Sequence, residues 1–383
     1  MTQLTGLLFV LAGAFTYSTD AHSLFTNLYV NNVDQGDGTC VRTPQNPSTA
    51  TYPITDLQDN AMVCGFDGTT PVKRVCSVPK ASQLGFEYRM FPDGSSPGSV
   101  EPSHKGPCSV YMKAVPSASE ASGEGEGWFK IWDEGYDSNA GKWCSDKVID
   151  NNGILNVNLP PDLAGGNYLV RSELLALQEA DKSPPQPQFY VGCAQIFLDS
   201  DERSGPRPES VVSIPGHVQI SDPSVHFNIY MPKWPYTIPG PVSYKSGIPT
   251  AQSIASKGHI EGLLPPKTVA VNGNWWGTEQ ESYDTEGGCW NATSNCYNQL
   301  RTCYDSATAT GSKGCRAYEK KCATMQSGCR SGDYNGPPNK GQILTSGVRG
   351  NIKSLDSIQS SMSAAGPTNS LLKKRFPRRR HWK

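Results

Sequence analysis

Twelve cysteines, half of them in two evenly spaced triplets, constrain the fold of this 383-residue chain more than any other feature. Cys289, Cys296 and Cys303 recur every seven residues, as do Cys315, Cys322 and Cys329. Seven residues is nearly two helical turns, so each triplet lies along one helix face. Trp290, Tyr297 and Tyr304 trace an adjacent stripe with the same period. The pattern predicts an antiparallel helical hairpin turning around Gly311-Ser312-Lys313-Gly314. Six cysteines allow about 15 pairings, and antiparallel helices select the nested ladder Cys289–Cys329, Cys296–Cys322, Cys303–Cys315. So small a module could hardly fold without such staples. So many cysteines also point to an oxidising compartment and away from a reduced cytosolic enzyme.

The rest of the chain reads differently. With 38 Gly, 30 Pro and only 18% charged residues, the composition suits a loop-rich β protein. Alternating polarity marks strands at residues 86–91 and 128–132, with longer ones at 167–175 and 188–198 and another at His226–Tyr230. The expected fold is all-β, an immunoglobulin- or fibronectin-like antiparallel β-sandwich, joined to the disulfide-stapled α-helical hairpin. The predicted boundaries are a leader at 1–21, the sandwich at 22–245, a linker at 246–270, the Cys-rich hairpin at 271–330 and a disordered basic tail at 331–383.

Leu7–Phe15 is an uncharged apolar run too short to span a bilayer. The small-x-small sequence Thr19-Asp20-Ala21 follows it, the form of a signal-peptide cleavage site. No later run is long enough for a membrane span, so a secreted protein starting at His22 is expected. A free α-amine beside an imidazole is a chelating pair. Lys plus Arg (34) nearly balance Asp plus Glu (35), which gives no global argument for nucleic acid. Seven of the last eleven residues are Lys or Arg, a solvated tail or an adhesive one, with a dibasic site at Lys374-Arg375. Asn291-Ala292-Thr293 is a glycosylation sequon on the hairpin.

There are six histidines. His226 falls in a strand pattern, and His259 and His381 in linker and tail. His104 occupies the loop Ser103-His104-Lys105-Gly106-Pro107. Taken with His22 at the cleavage point, Trp128-Phe129-Lys130-Ile131, Asn158-Leu159-Pro160 and Gly166-Asn167-Tyr168-Leu169, this loop is one mark of a family. Gln188-x-Tyr190 with Cys193-Ala194-Gln195, and Tyr236–Pro241, complete the set. In this order the region from His22 to about Val242 resembles the fungal lytic polysaccharide monooxygenases of auxiliary activity family nine, formerly glycoside hydrolase family sixty-one. The Cys-rich module is not part of that resemblance.

The resemblance implies one copper held by the amine and Nδ1 of His22 and by Nε2 of His104, with the Tyr190 hydroxyl axial. Nitrogen donors suit Cu(II), although three ligands alone do not exclude zinc. It implies oxidative cleavage of cellulose or a related β-1,4-glucan at C1 and/or C4. The co-substrate would be dioxygen or hydrogen peroxide, with electrons from a small-molecule reductant or a cellobiose dehydrogenase-like donor. A monomer is expected. Gln188, two residues from Tyr190 on the same strand face, would position hydrogen bonds at the metal. Many family members carry a His where this chain has Gln178; an amide can donate a hydrogen bond but cannot carry a proton as imidazolium. Tyr236 matches a sugar-facing aromatic or else packs the domain's last turn, and His217, on a nearby loop, is either a surface contact or a spectator. The family pattern suggests Cys64–Cys193; Cys40–Cys76 and Cys108–Cys144 are the accompanying assignment, the last starting four residues beyond His104.

Two other classes compete. A secreted copper carrier with the same ligands would need neither Tyr190 and Gln188 nor an aromatic plane. An adhesion protein would rely on the hairpin and the basic tail. Hydrolysis would need paired carboxylates, but Asp133, Glu134 and Glu173 show no such pair. Trp275, Trp276 and Trp290 are either a sugar platform or the hairpin's core.

Overall fold

The computed structural model describes residues 22–200, 208–247 and 261–347. The leader, the centre of the linker and the tail beyond residue 347 lie outside the described residues. The first unit is a two-sheet sandwich. One sheet has the order β2 (Val33–Asp34), β1 (Leu24–Val30), β4 (Gln83–Arg89), β9 (Ile154–Asn158). The other runs β12 (Val212–Ile214), β6 (Gly125–Glu134), β5 (Cys108–Ala114), β10 (Gly166–Ala176), β11 (Gln188–Asp199), β3 (Cys76–Pro79). A short ribbon pairs β7 (Tyr136–Asp137) with β8 (Lys142–Trp143), and α1 (Ala61–Cys64) and α2 (Cys144–Asp150) sit in the loops. The pairing is antiparallel except at one edge, where β3 runs parallel to β11.

Period-two alternation holds along β9 but fails along β1 and β10, which are buried at almost every position. Its two faces meet different cores. Val170 and Leu174 join the core between the sheets. Leu169 and Leu175 join a second core formed with α1, Trp128 and the segment carrying Val218 and Phe227. Arg171 and Glu173 also face that way and neutralise each other in the interior, with Arg171 Nη1 donating to Glu173 Oε2 at 2.6 Å. An antiparallel sheet covered on both sides needs continuous burial, and polar residues survive there only when paired.

Three expectations are corrected. His226–Tyr230 is not a strand: the Asn228 carboxamide accepts the backbone N–H groups of Tyr230 and Met231, turning the chain. The Cys-rich unit begins earlier than residue 271, with a hairpin of β13 (Thr268–Asn272) and β14 (Trp275–Thr278) ahead of α3 (Glu286–Asp305) and α4 (Lys313–Arg330). It also ends later than residue 330. Residues 331–347, expected to be disordered, wrap back as a strap. Tyr283 and Gly336 exchange backbone bonds, Leu344 N donates to Val269 O, and Gly341 N donates to Glu279 Oε2. Glu279 is itself buried against Lys321 at 3.0 Å.

All six bridges follow the expected connectivity: Cys40–Cys76, Cys64–Cys193, Cys108–Cys144, Cys289–Cys329, Cys296–Cys322 and Cys303–Cys315. The helical unit docks on the sandwich at the Cys40 loop. Asn274 Oδ1 accepts from Cys40 N (2.9 Å), and its Nδ2 donates to Gly38 O and Val41 O. No helix among the described residues is long and apolar enough to cross a membrane.

Candidate metal centre

His104 is placed by a loop zipped onto the end of β10. Leu177 N donates to Lys105 O (2.9 Å) and Leu175 N to Pro107 O (3.0 Å). Between these bonds the backbone of Gly106 passes so close that a Cβ there would lie 1.8 Å from Leu175 O. Only glycine fits. The opposite side is held by Gly106 N donating to Ser145 Oγ (3.1 Å), by a Lys105–Asp146 ion pair and by the Cys108–Cys144 bridge. The motif Ser-His-Lys-Gly-Pro is therefore a clamp that fixes one imidazole.

His22 precedes β1, and Tyr190 lies on β11 opposite Leu174. The sandwich brings them together. The Tyr190 ring is 5.5 Å from His104 and 6.4 Å from His22, so two imidazoles flank one phenol. His104 Nε2 is 2.9 Å from the Tyr190 hydroxyl. That hydroxyl donates to Gln188 Oε1 (2.9 Å), which also accepts from Gln178 Nε2 (2.8 Å). Gln178 thus belongs to the cluster, and its Oε1 is buried without a hydrogen-bond partner. Burial, reinforced by the nearby His22, pushes the His104 pKa from 6.5 to about 4.

A neutral imidazole offers its lone pair to a metal without first losing a proton, so His104 is ready to ligate near neutral pH. Among the described residues no group of three or more His, Cys, Asp and Glu side chains is placed to hold a metal ion. The side chains that could hold a metal here are two imidazoles with a phenol between them. Such a set fits copper in an N-rich environment and fits neither a carboxylate-rich magnesium site nor a thiolate zinc site.

Of the two residues expected on the sugar-facing surface, His217 is not there. Its side chain is 0% exposed, edge-on to Tyr111 at 5.6 Å and 3.6 Å from Glu173. Burial lowers its pKa despite that carboxylate. Burial alone would raise the Glu173 pKa, but the Arg171 guanidinium and His217 bring it down to about 2. Glu173 is therefore a structural ion-pair member. Tyr236 is half-buried: its ring packs against Trp143 (4.9 Å) and Phe227 (4.8 Å), and its hydroxyl donates to Ser224 O. The exposed rings near the centre are others. Tyr52, 49% exposed, is 5.1 Å from His22. Tyr230, 65% exposed, donates its hydroxyl to the Gln178 backbone carbonyl. Both stand in loops, where no periodic signal could single them out.

The sequence model of Auxiliary Activity family 9 (formerly GH61) matches residues 22–237, more than half of the chain. The chain is 53% identical over 345 residues to AA9 family lytic polysaccharide monooxygenase H of Botryotinia fuckeliana, covering 86% of this chain and 78% of that one. It is 45% identical over 334 residues to AA9 family lytic polysaccharide monooxygenase C of Aspergillus tamarii, covering 85% and 89%. Matches of that length run beyond residue 237 into the helical unit. Among solved structures, CvAA9A is similar with a TM-score of 0.53 and 33% identity, covering 58% of this chain and 98% of that one. The chain belongs to Auxiliary Activity family 9, the copper-dependent lytic polysaccharide monooxygenases.

Proposed function

We propose that His22, His104 and the Tyr190 hydroxyl would hold the copper, and that Gln188 and Gln178 would organise the pocket beside it. The observation that supports this most directly is the 2.9 Å approach of His104 Nε2 to the Tyr190 hydroxyl, which Gln188 orients from behind. Bound copper supplies the redox chemistry, taking electrons from an external reductant to activate dioxygen or hydrogen peroxide for attack on a polysaccharide. The rest is the protein's work. With Tyr190 donating to Gln188, the hydroxyl oxygen accepts from a protonated His104 Nε2. Metal binding requires the other tautomer, and the Nδ1 proton then has Ser103 Oγ within 3.2 Å as acceptor. Gln178 fixes the Gln188 carboxamide but holds no titratable proton, so the pocket can orient an oxygen species at this position without protonating it.

The chain includes residues 1–21, and the His22 nitrogen is a peptide amide until they are removed. We take Leu7–Phe15 and Ala21 as a secretory leader whose cleavage creates the third nitrogen ligand and delivers the enzyme outside the cell. The substrate is cellulose or a related β-1,4-glucan, oxidised at C1 and/or C4. Tyr52, exposed beside His22, and Tyr230, exposed and bonded to the Gln178 carbonyl, suit the apolar faces of its sugars. Either a small-molecule reductant or a cellobiose dehydrogenase-like partner delivers electrons to a monomeric enzyme. Asn291, exposed on α3, carries an N-glycan.

The test uses protein beginning at His22, loaded with copper and given ascorbate and swollen cellulose, with products read by mass spectrometry. Aldonic acids or 4-keto sugars that require reductant, and that disappear in His104→Ala, are expected. Tight copper binding without oxidised products from cellulose, xylan or glucomannan would refute the assignment and leave a copper carrier.

A further inference from the structure

The structure divides the three tryptophans that the sequence offered as a platform. Trp275 is buried, with Nε1 donating to Thr302, and Trp276 is half-buried beneath Lys73. Trp290 instead heads a different line. It is 38% exposed and Tyr304 is 40% exposed, with the half-buried Tyr297 midway between them on α3. Seven residues of helix advance about 10.5 Å. The line drifts only about 20° per step.

Two features fix this line and limit what it can meet. The Tyr304 hydroxyl donates to Glu319 (2.6 Å) and the Tyr297 hydroxyl to Gln326 (3.4 Å), both on α4, so the disulfide ladder and the two hydroxyl contacts hold the rings in place. From Gly287 to Leu300 the helix carries no charged residue, and its exposed positions there are Gly287, Trp290, Ser294, Asn295 and Asn298, besides Asn291 of the sequon. Around Trp290 and Tyr297 this face offers nothing to phosphates, acidic lipids or polyanions, and near Tyr304 the Arg301 cation is offset by the Glu319 carboxylate. Aromatic rings with flanking amides and hydroxyls complement an uncharged polyol.

We propose that Trp290, Tyr297 and Tyr304 form a second polysaccharide-binding surface that takes one extended β-1,4-glucan chain. Successive sugars in such a chain turn over, so the same face returns at every second sugar. That interval matches one heptad of helix rise, allowing each ring to stack on an equivalent face. Ser294 and Arg301 fall between the rings as donors to sugar hydroxyls. The choice of polymer rests on the substrate reading above; the surface itself does not.

The test measures depletion onto microcrystalline cellulose of the full chain from His22, without copper or reductant, so that no cleavage intervenes. Trp290→Ala/Tyr304→Ala should weaken partitioning roughly tenfold, as expected when two stacked rings are lost. Trp290→Tyr/Tyr304→Phe should retain it. Ser294→Glu, which adds a charge between intact rings, should weaken it without touching the packing. Oxidation of soluble cello-oligosaccharides by the copper-loaded variants should match the parent, which separates this surface from the catalytic assignment. Counting six disulfides by mass confirms folding. Parent-like partitioning of both the alanine pair and Ser294→Glu would overturn the proposal. So would a parent dimer in sedimentation that the alanine pair dissociates, because the rings would then be occupied by a second copy.

Discussion

Replacing Gly106 with Ala tests whether the clamp around His104 is what makes the metal centre. The new Cβ would meet Leu175 O at 1.8 Å and Leu175 C at 3.0 Å. Ordinary contact needs about 3.5 Å. The two backbones must therefore separate by more than an ångström. The flanking bonds, Leu177 N to Lys105 O and Leu175 N to Pro107 O, lie on either side of the contact and would stretch beyond hydrogen-bonding range. Each contributes about 0.5–1.5 kcal/mol, giving a loss of about 2 kcal/mol in the absence of copper. For a domain of this size that lowers Tm by about 4–8 °C. The same displacement reaches the site: His104 leaves Tyr190, and copper affinity falls by roughly 10–100-fold, as when a group orienting a ligand is lost. Calorimetry with and without copper, together with a competitive chelator titration, measures both numbers. A variant that melts within a degree of the parent and binds copper equally would show that the loop adjusts freely, and the clamp argument would fail.

Other predictions concern charge and staples. With folded pKa values below 6.5, His104 and His217 leave the unfolded chain binding more protons in this range, so copper-free protein loses stability as pH falls below about 6.5. His104 contributes roughly 1–2 kcal/mol of this after allowance for its partial exposure. Copper should suppress its share, and thermal melts across pH would show it; an unchanged Tm from pH 7 to 4.5 would contradict the burial of both imidazoles. Glu173→Gln leaves the Arg171 guanidinium buried beside a neutral amide and should cost about 3–5 kcal/mol, seen in urea unfolding. Removing the bridge that spans 26 residues with Cys296→Ala/Cys322→Ala should cost the helical unit about 3–4 kcal/mol. Limited proteolysis should then cut α3 and α4 first while copper binding persists.

Legibility followed the reach of each signal. The heptad cysteines specified a helical hairpin and its pairing because local periodicity and antiparallel geometry leave little choice. The loop around His104 was legible as a motif, but its cause, the contact of Gly106 with Leu175, joins strands far apart in sequence. His217 was legible only as a loop residue, because the Glu173 carboxylate it is buried against lies on a strand far away in sequence. Tyr52 was invisible because a loop aromatic has no pattern until tertiary structure sets it beside a histidine, and Tyr230 was hidden in what read as a strand. The strap at 331–347 has the Gly, Pro and Asn content of a linker, and its order comes from bonds to β13 and Glu279 that composition does not encode.

That strap decides where the chain can be cut. Ending it after the last cysteine helix, at Arg330, looks natural from the bridges alone. Yet it would strip the backbone partner from Glu279 Oε2, remove Pro338 O from Lys321, and open the Tyr283 and Val269 backbone to water. A recombinant helical unit stopping there would keep every disulfide and still expose its buried ion pair. One extended to residue 347 would keep the pair covered, so the usable terminus lies 17 residues beyond the final helix.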